Sequence, residues 1–324
     1  STGSVSSDPK RIQEVTTFGA SVFNLDLNNI FEEAFERCGK ELRTGYEFRT
    51  ARRSLNLLTI EWANRGINLW TIEQGAIPLV TGQAIYPVPV DTIQLLDTVI
   101  RQNNATTNQI DINISNISEP TYSSIPNKLT QGRPIQYWFN RQTGDTNPST
   151  ITLSGNISAT DTTITLSNVS NLAAAGFIKI GNETISYPNV DITNNQLLNC
   201  ARGQNYTTAS AHTSGAAISI QNLPCVNLWP TPNAPGDQYT LIYWRMRRMQ
   251  DAGTGVTNQD IPFRLLPCLV AGLAAHLSMK LPGVDPTRIQ MLKTDYEEQW
   301  MIASSEDRET APLRIVPRNL FYSG

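Results

Sequence analysis

The chain has 324 residues, of which 40% are hydrophobic and only 16% charged, against about 25% charged in ordinary globular chains. That length allows one large core or two domains. Its 25 basic and 28 acidic residues leave a formal charge of -3, which excludes the strongly basic field that tight duplex-DNA binding needs. Ser, Thr and Asn supply the remaining polarity, a composition suited to β-rich, assembly-forming proteins.

Residues 1–24 are polar and read as an N-terminal arm. They hold no apolar core of the kind a secretory signal needs, so none is expected. Leu27, Ile30, Phe31, Ala34, Phe35, Cys38 and Leu42 then recur at helical spacing, with Asp26 as the cap and Thr44-Gly45 as the stop. A second helix follows at once. Its Phe48, Ala51, Leu55, Leu58 and Trp62 form a narrow packing seam, and Gly66 is its stop. Arg49, Arg52 and Arg53 point away from that seam. The short connection predicts an antiparallel helical hairpin.

From about Ile77 the period changes to that of strands. Ile85-Tyr86-Pro87-Val88-Pro89 suggests an edge strand, because proline cannot donate to a ladder. Further strands are expected at Ile93–Arg101, Ile110–Ile117 and Pro134–Phe139, with Tyr239–Met246 pairing with the last of these. Residues 148–221 stand apart: only five of these 74 residues are charged, namely Asp161, Lys179, Glu183, Asp191 and Arg202. Short strands are expected there at Ser149–Leu153, Thr162–Leu166, Phe177–Ile180, Glu183–Tyr187, Gln196–Cys200 and Ala216–Ile220. Gly181-Asn182 reads as a two-residue hairpin turn. The block is a candidate inserted β domain bracketed by Pro148 and Pro224.

Leu265, Leu266, Leu269, Val270, Leu273, Ala274 and Leu277 predict a buried helix, too short to span a membrane. Pro267 either kinks it or opens its first turn. Asp285-Pro286 starts a last helix, with Ile289, Leu292, Tyr296, Trp300 and Ala303 as its buried stripe and an end near Glu309. The tail from Thr310 to Gly324 carries Pro312 and Pro317 and is extended, yet it is apolar. Docking on its own domain and docking on a neighbouring subunit are both open for it.

The expected fold class is therefore α+β: a helical hairpin plus C-terminal helices packed with a mainly antiparallel β core, with an inserted small all-β domain. The expected parts are an arm (1–24), a core of helices and sheet (25–147 and 222–309), the insert (148–221) and the tail (310–324).

Catalytic, cofactor and metal sites are not expected. Cys38, Cys200, Cys225 and Cys268 form no close pair and read as buried thiols. His212 reads as a turn residue and His276 as a satisfied core or interface histidine, because neither has a Glu or a second His at metal spacing. Glu32-Glu33 and Glu297-Glu298 read as solvated helix charges. Tyr243-Trp244-Arg245-Met246-Arg247-Arg248 mixes aromatic and basic residues. Nucleic-acid contact is one reading; the favoured one is a strand end whose arginines pair with carboxylates across a subunit seam.

Several runs carry a resemblance. They are Ala51-Arg52-Arg53-Ser54-Leu55-Asn56-Leu57-Leu58 through Trp62-Ala63-Asn64-Arg65-Gly66 to Trp70-Thr71-Ile72-Glu73-Gln74, then Ile125-Pro126-Asn127-Lys128, Gly132-Arg133-Pro134 and Tyr137-Trp138. Leu228-Trp229-Pro230-Thr231-Pro232, Tyr239–Trp244 and Ile261-Pro262-Phe263-Arg264 complete them. With the order of helical hairpin, β core, helical pair and tail, the chain resembles the head-to-tail adaptors of short-tailed bacteriophages, also called tail tubular proteins A or head-completion proteins. The insert, with Gly176–Glu183, Ile185-Ser186-Tyr187, Cys200-Ala201-Arg202-Gly203 and Ala211–Gly215, resembles a small β module of phage structural proteins. Compact adaptors lack it.

The resemblance implies a structural virion protein at the head-tail junction, assembled in the host cytoplasm, with no enzyme activity and no cofactor. It implies a ring, typically dodecameric, between portal protein and tail nozzle protein, with genomic DNA passing through without sequence-specific binding and no membrane partner. Leu313, Ile315, Val316, Leu320, Phe321 and Tyr322 would dock on the portal. Phe48, Leu55, Leu58 and Trp62 would pack the helix seam. Arg49, Arg52, Arg53, Arg245 and Arg247 are candidate charges of a subunit interface or the channel. The alternative is a virion β-module protein for fibre docking or for binding a host receptor or carbohydrate, which adds tail fibres as candidate partners.

Overall fold

The computed structural model describes residues 26–67, 69–233, 239–249 and 260–307. The chain is α+β, with helices and several mainly antiparallel sheets. It divides into two compact units. One holds the helices up to Glu61 and those beyond Asp260; the other holds Trp62 to Met249 with Asp307. The helices and the sheet of the expected core are thus assigned to separate units. The arm, the tail and its six apolar residues lie outside the described residues.

In the helical unit, α1 (Leu27–Arg37) starts on Asp26, whose carboxylate accepts from Asn29 N. It stops at Gly39, in the left-handed region at φ 70°, well before the expected Thr44-Gly45, because a positive-φ glycine ends the helical ladder wherever it falls. α2 (Gly45–Arg65) follows and ends at Gly66 as expected. Glu119–Ser123 forms a one-turn α3 in the other unit. α4 (Leu266–Ser278) carries Pro267 in its first turn, so that proline opens the helix and does not kink it. α5 (Pro286–Glu306) ends at Glu306, short of Glu309.

α4 is the centre of this unit and is apolar on nearly all sides, as a helix wrapped by others must be. Cys38 Sγ at the end of α1 donates to Ala274 O of α4 at 3.3 Å. Gly272 lets α4 approach both neighbours: a methyl there would sit 2.8 Å from Tyr296 of α5 and 3.0 Å from Leu58 of α2. Around this apolar contact, Glu61 of α2 accepts from Tyr296 Oη at 3.1 Å, and its other oxygen lies 3.1 Å from His276 Nε2. His276 is accordingly a satisfied histidine among helices.

In the other unit two four-stranded sheets share one core. The first runs Ile72–Pro78, Tyr239–Arg247, Thr92–Gln102, Ile110–Asn113, all antiparallel. The second runs Ile85–Pro87, Cys225–Trp229, Gln136–Asn140, Ser115–Asn116. Tyr86, Tyr137, Val226 and Leu228 from the second sheet meet Leu95, Ile100, Leu241 and Tyr243 from the first. Ile85–Pro87 is an edge strand, as its proline requires. Three expectations are corrected. Tyr239–Arg247 pairs with Ile72–Pro78 and Thr92–Gln102, not with the strand ending near Phe139. The expected strand Ile110–Ile117 breaks at Ile114, where the chain crosses from one sheet to the other. The strand Ile72–Pro78 begins before Ile77 and takes up the end of the run whose first part is α2.

The charge-poor block forms a five-stranded sheet in the order Ala201–Gln204, Glu183–Tyr187, Gly176–Ile180, Ala217–Gln221, Thr146–Thr152, with a three-stranded sheet of Asn189–Asp191, Gln196–Leu198 and Ile164–Thr165. It has its own apolar core around Ile164, Ile178, Ile185, Leu197 and Ile218. Ile180 pairs with Glu183 across Gly181-Asn182, the expected two-residue turn, with Gly181 at φ 57°. Both chain crossings lie side by side: Gly144 N donates to Asn222 O at 2.7 Å and Asn222 N to Asp145 O at 2.9 Å.

Candidate assembly surface

α2 is apolar on two opposite faces. Ala51, Leu55, Leu58 and Trp62 are buried, and Phe48 is half-buried, its ring 5.0 Å from that of Phe31. These are the seam residues expected from spacing. On the opposite face Tyr46, Leu57 and Ile60 are 68%, 52% and 51% exposed. Arg49 and Arg53 stand among them, also exposed. At 3.6 residues per turn these five positions fall within an arc of about 80° and run about 21 Å along the axis. Arg52 turns aside and is half-buried.

A second surface of the same unit is an open groove of about 650 Å³ between α1 and the start of α4. One wall is the outer face of α1, with Asn29, Glu32, Glu33 and Glu36. The other is apolar, with Phe263, Leu266, Pro267 and Val270. Phe263 is 73% exposed. Arg37 at the rim is engaged by Glu33 at 2.9 Å and by Asp295 at 3.5 Å, so the exposed acidic face of α1 dominates the wall.

Arg245 and Arg247 are not on offer in the same way. Arg245 donates to Asp91 Oδ1 at 2.6 Å, Thr92 Oγ1 at 3.0 Å and Glu73 Oε2 at 2.8 Å, and Arg247 to Glu73 Oε1 at 2.6 Å. The carboxylates expected across a subunit seam therefore lie in the same chain. Their guanidinium groups tie Ile72–Pro78, Tyr239–Arg247 and the start of Thr92–Gln102 together, a structural use that the aromatic-basic pattern alone does not reveal.

The insert holds a charge cluster that the sequence reading missed. The side chain of Glu183 is fully excluded from solvent and forms a bidentate pair with Arg202, at 2.8 Å for each oxygen. Its oxygens also take His212 Nε2 at 2.7 Å, Gly203 N at 3.0 Å and Ser210 N at 3.2 Å. Burial opposes ionisation, but the hydrogen bonds from Arg202, His212, Ser210 and Gly203 outweigh it and hold the carboxyl at about 2. Arg202 reaches on to the carbonyls of Ser158, Asp161 and Ser210. His212 is thus a cluster member and, contrary to the expected turn, sits in an antiparallel bridge with Ile157, each backbone N–H donating to the other's carbonyl. The signal was scarcity: the block has one arginine and one glutamate, and a charged residue in so apolar a module needs a partner.

All four cysteines are buried, and burial pushes Cys38 up to about 11 and Cys200 and Cys225 up to about 12, which makes these three poor nucleophiles. Among the described residues no group of three or more His, Cys, Asp or Glu side chains is placed to hold a metal ion. No helix among them is long and apolar enough to cross a membrane. Comparison with protein-family models and with curated proteins returns no match for this chain.

Proposed function

We propose that the chain is a structural virion protein, the head-to-tail adaptor whose copies form a ring, of the dodecameric type its resemblance implies, between portal and tail nozzle around the passing DNA. The observation that carries this reading is the outward face of α2. This helix has already buried one apolar face, and among the described residues nothing covers Tyr46, Leu57 and Ile60 on the other. Repeated about an axis, such a face packs on a different face of the next copy, and that contact closes into a ring when the rotation allows. The resemblance of the quoted runs to the phage adaptors supports the same reading. In this reading the protein performs no chemistry.

The test is to mix the purified chain with the cognate portal ring and image the product by electron microscopy. A second ring stacked coaxially on the portal is the expected result. Removal of Pro312–Gly324 is expected to abolish that attachment while leaving the circular dichroism spectrum unchanged. A chain that never joins the portal refutes the assignment. One observation favours the second reading, docking of fibres or host carbohydrate by the insert: Tyr206 is 92% exposed at φ 61°, beside the amide of Asn205. Tyr206→Ala separates the two readings, because it leaves portal stacking intact and removes fibre or glycan binding only if the insert is a docking module.

A further inference from the structure

We infer that the seam between copies is made by the outward face of α2 of one chain lying in the acidic groove between α1 and α4 of the next. This inference rests on the ring reading and names its contact.

Three observations point to it. The surfaces are complementary in charge: Arg49 and Arg53 on the helix face, Glu32 and Glu36 on the groove wall. They are complementary in polarity, since each sets apolar side chains beside its charges. Tyr46, Leu57 and Ile60 are exposed on one, and Phe263 and Pro267 on the other. They share no residue, so a copy can use both at once. A contact between two different surfaces of one molecule is heterologous, and it propagates from copy to copy as a ring or filament requires. Burying Phe263 and Leu57 supplies the driving force. The arginines and glutamates set the orientation and exclude wrong pairings, which is what charge does best at an interface.

The tail, with Arg314 and Arg318 among Leu313, Ile315 and Val316, is another basic and apolar segment of the chain. The α2 face is preferred because its charges and apolar side chains are already aligned on one rigid helix, so less ordering entropy opposes binding.

The experiment uses two charge-reversed full-length chains. Arg49→Glu with Arg53→Glu makes both surfaces acidic; Glu32→Lys with Glu36→Lys makes both basic. All four positions are exposed, and circular dichroism verifies the fold of each variant. Sedimentation velocity at rising concentration, with chemical cross-linking, reads self-association, and electron microscopy separates closed rings from filaments. Each variant alone should associate roughly tenfold more weakly than the parent, or worse. An equimolar mixture should restore assembly, because each acidic surface then meets a basic one. Added salt should weaken the parent assembly.

Parent assembly that is indifferent to both reversals overturns the seam. If removing residues 310–324 abolishes that assembly while the reversals are silent, the groove belongs to the tail and the seam is likewise overturned. A chain that stays monomeric throughout, cross-linking included, also overturns it. The portal experiment remains separate: a portal-bound ring unaffected by the reversals overturns this seam and leaves the adaptor assignment standing, whereas failure to join the portal removes the assignment itself.

Discussion

Glu183 shows how much one side chain can hold in a module with few charges. Its carboxylate receives five hydrogen bonds from Arg202, His212, Gly203 and Ser210, and Arg202 in turn binds the loop at Ser158 and Asp161. Three separate turns of the insert are therefore fastened at one point. Replacing Glu183 by Gln leaves the nearly buried Arg202 without its counter-ion and should cost about 3–5 kcal/mol, read as a lower thermal midpoint of the full chain. The pH dependence has a definite sign. The folded carboxyl sits at about 2 against an ordinary value of 4.5, so its stabilisation is complete above pH 4.5 and fades as pH falls toward 2. The gap corresponds to about 3 kcal/mol. Thermal melts between these pH values should show this loss in the parent, and Glu183→Gln should flatten it. A parent whose midpoint is constant across that window would contradict the argument.

At the scale of elements, the helical unit turns on close approach to α4. Gly272 has an ordinary helical backbone, so its value is space and not conformational freedom. Gly272→Ala would raise intrinsic helix propensity, yet its methyl meets Tyr296 and Leu58 at 2.8 and 3.0 Å. Overpacking should win, with a net loss of about 1–3 kcal/mol, seen as a lower urea midpoint. An unchanged or higher midpoint would mean that α4 does not approach its neighbours this closely. The expected helix stripes were legible here because a helix's periodicity is local: Asp26, Gly66 and the buried rows of α2 and α5 were all readable from the chain, whereas the choice between kink and first turn for Pro267 was made only by the structure. Gly39 was overlooked as a stop because Thr44-Gly45 offered a second plausible one, and only backbone geometry separates them.

For the whole molecule, the insert leaves and rejoins the β core at one hydrogen-bonded neck, Gly144-Asp145 against Asn222. Joining Asp145 to Asn222 through a Gly-Ser linker should therefore remove residues 146–221 without unfolding the rest. The cost includes the contact of Phe177 with Ala84, Ile85, Leu223 and Cys225, worth about 1.5–3 kcal/mol for a buried side chain of that size, and the hydrogen bond from Gln83 Nε2 to Gln204 Oε1. The excised chain should retain a cooperative thermal transition at a lower midpoint and, under the adaptor reading, still stack on the portal. Complete unfolding on excision would show that the core depends on the insert for more than these contacts.

The sequence by itself determined the fold class, most of the helices, the hairpin turn at Gly181-Asn182, the edge character of Ile85–Pro87 and the seam of α2. Each of these is written in the spacing of neighbouring residues, since helix faces, strand alternation and turns involve partners only a few positions away. Tertiary structure alone decided which strands pair, where the chain changes sheets at Ile114, that Arg245 reaches Glu73 and Asp91, and that Glu183 meets Arg202 and His212. It also decided that the face of α2 opposite its seam stays exposed and that α1 and α4 frame an acidic groove. Those facts depend on partners distant along the chain, brought together by burial of a shared core, and no local period in the sequence records them.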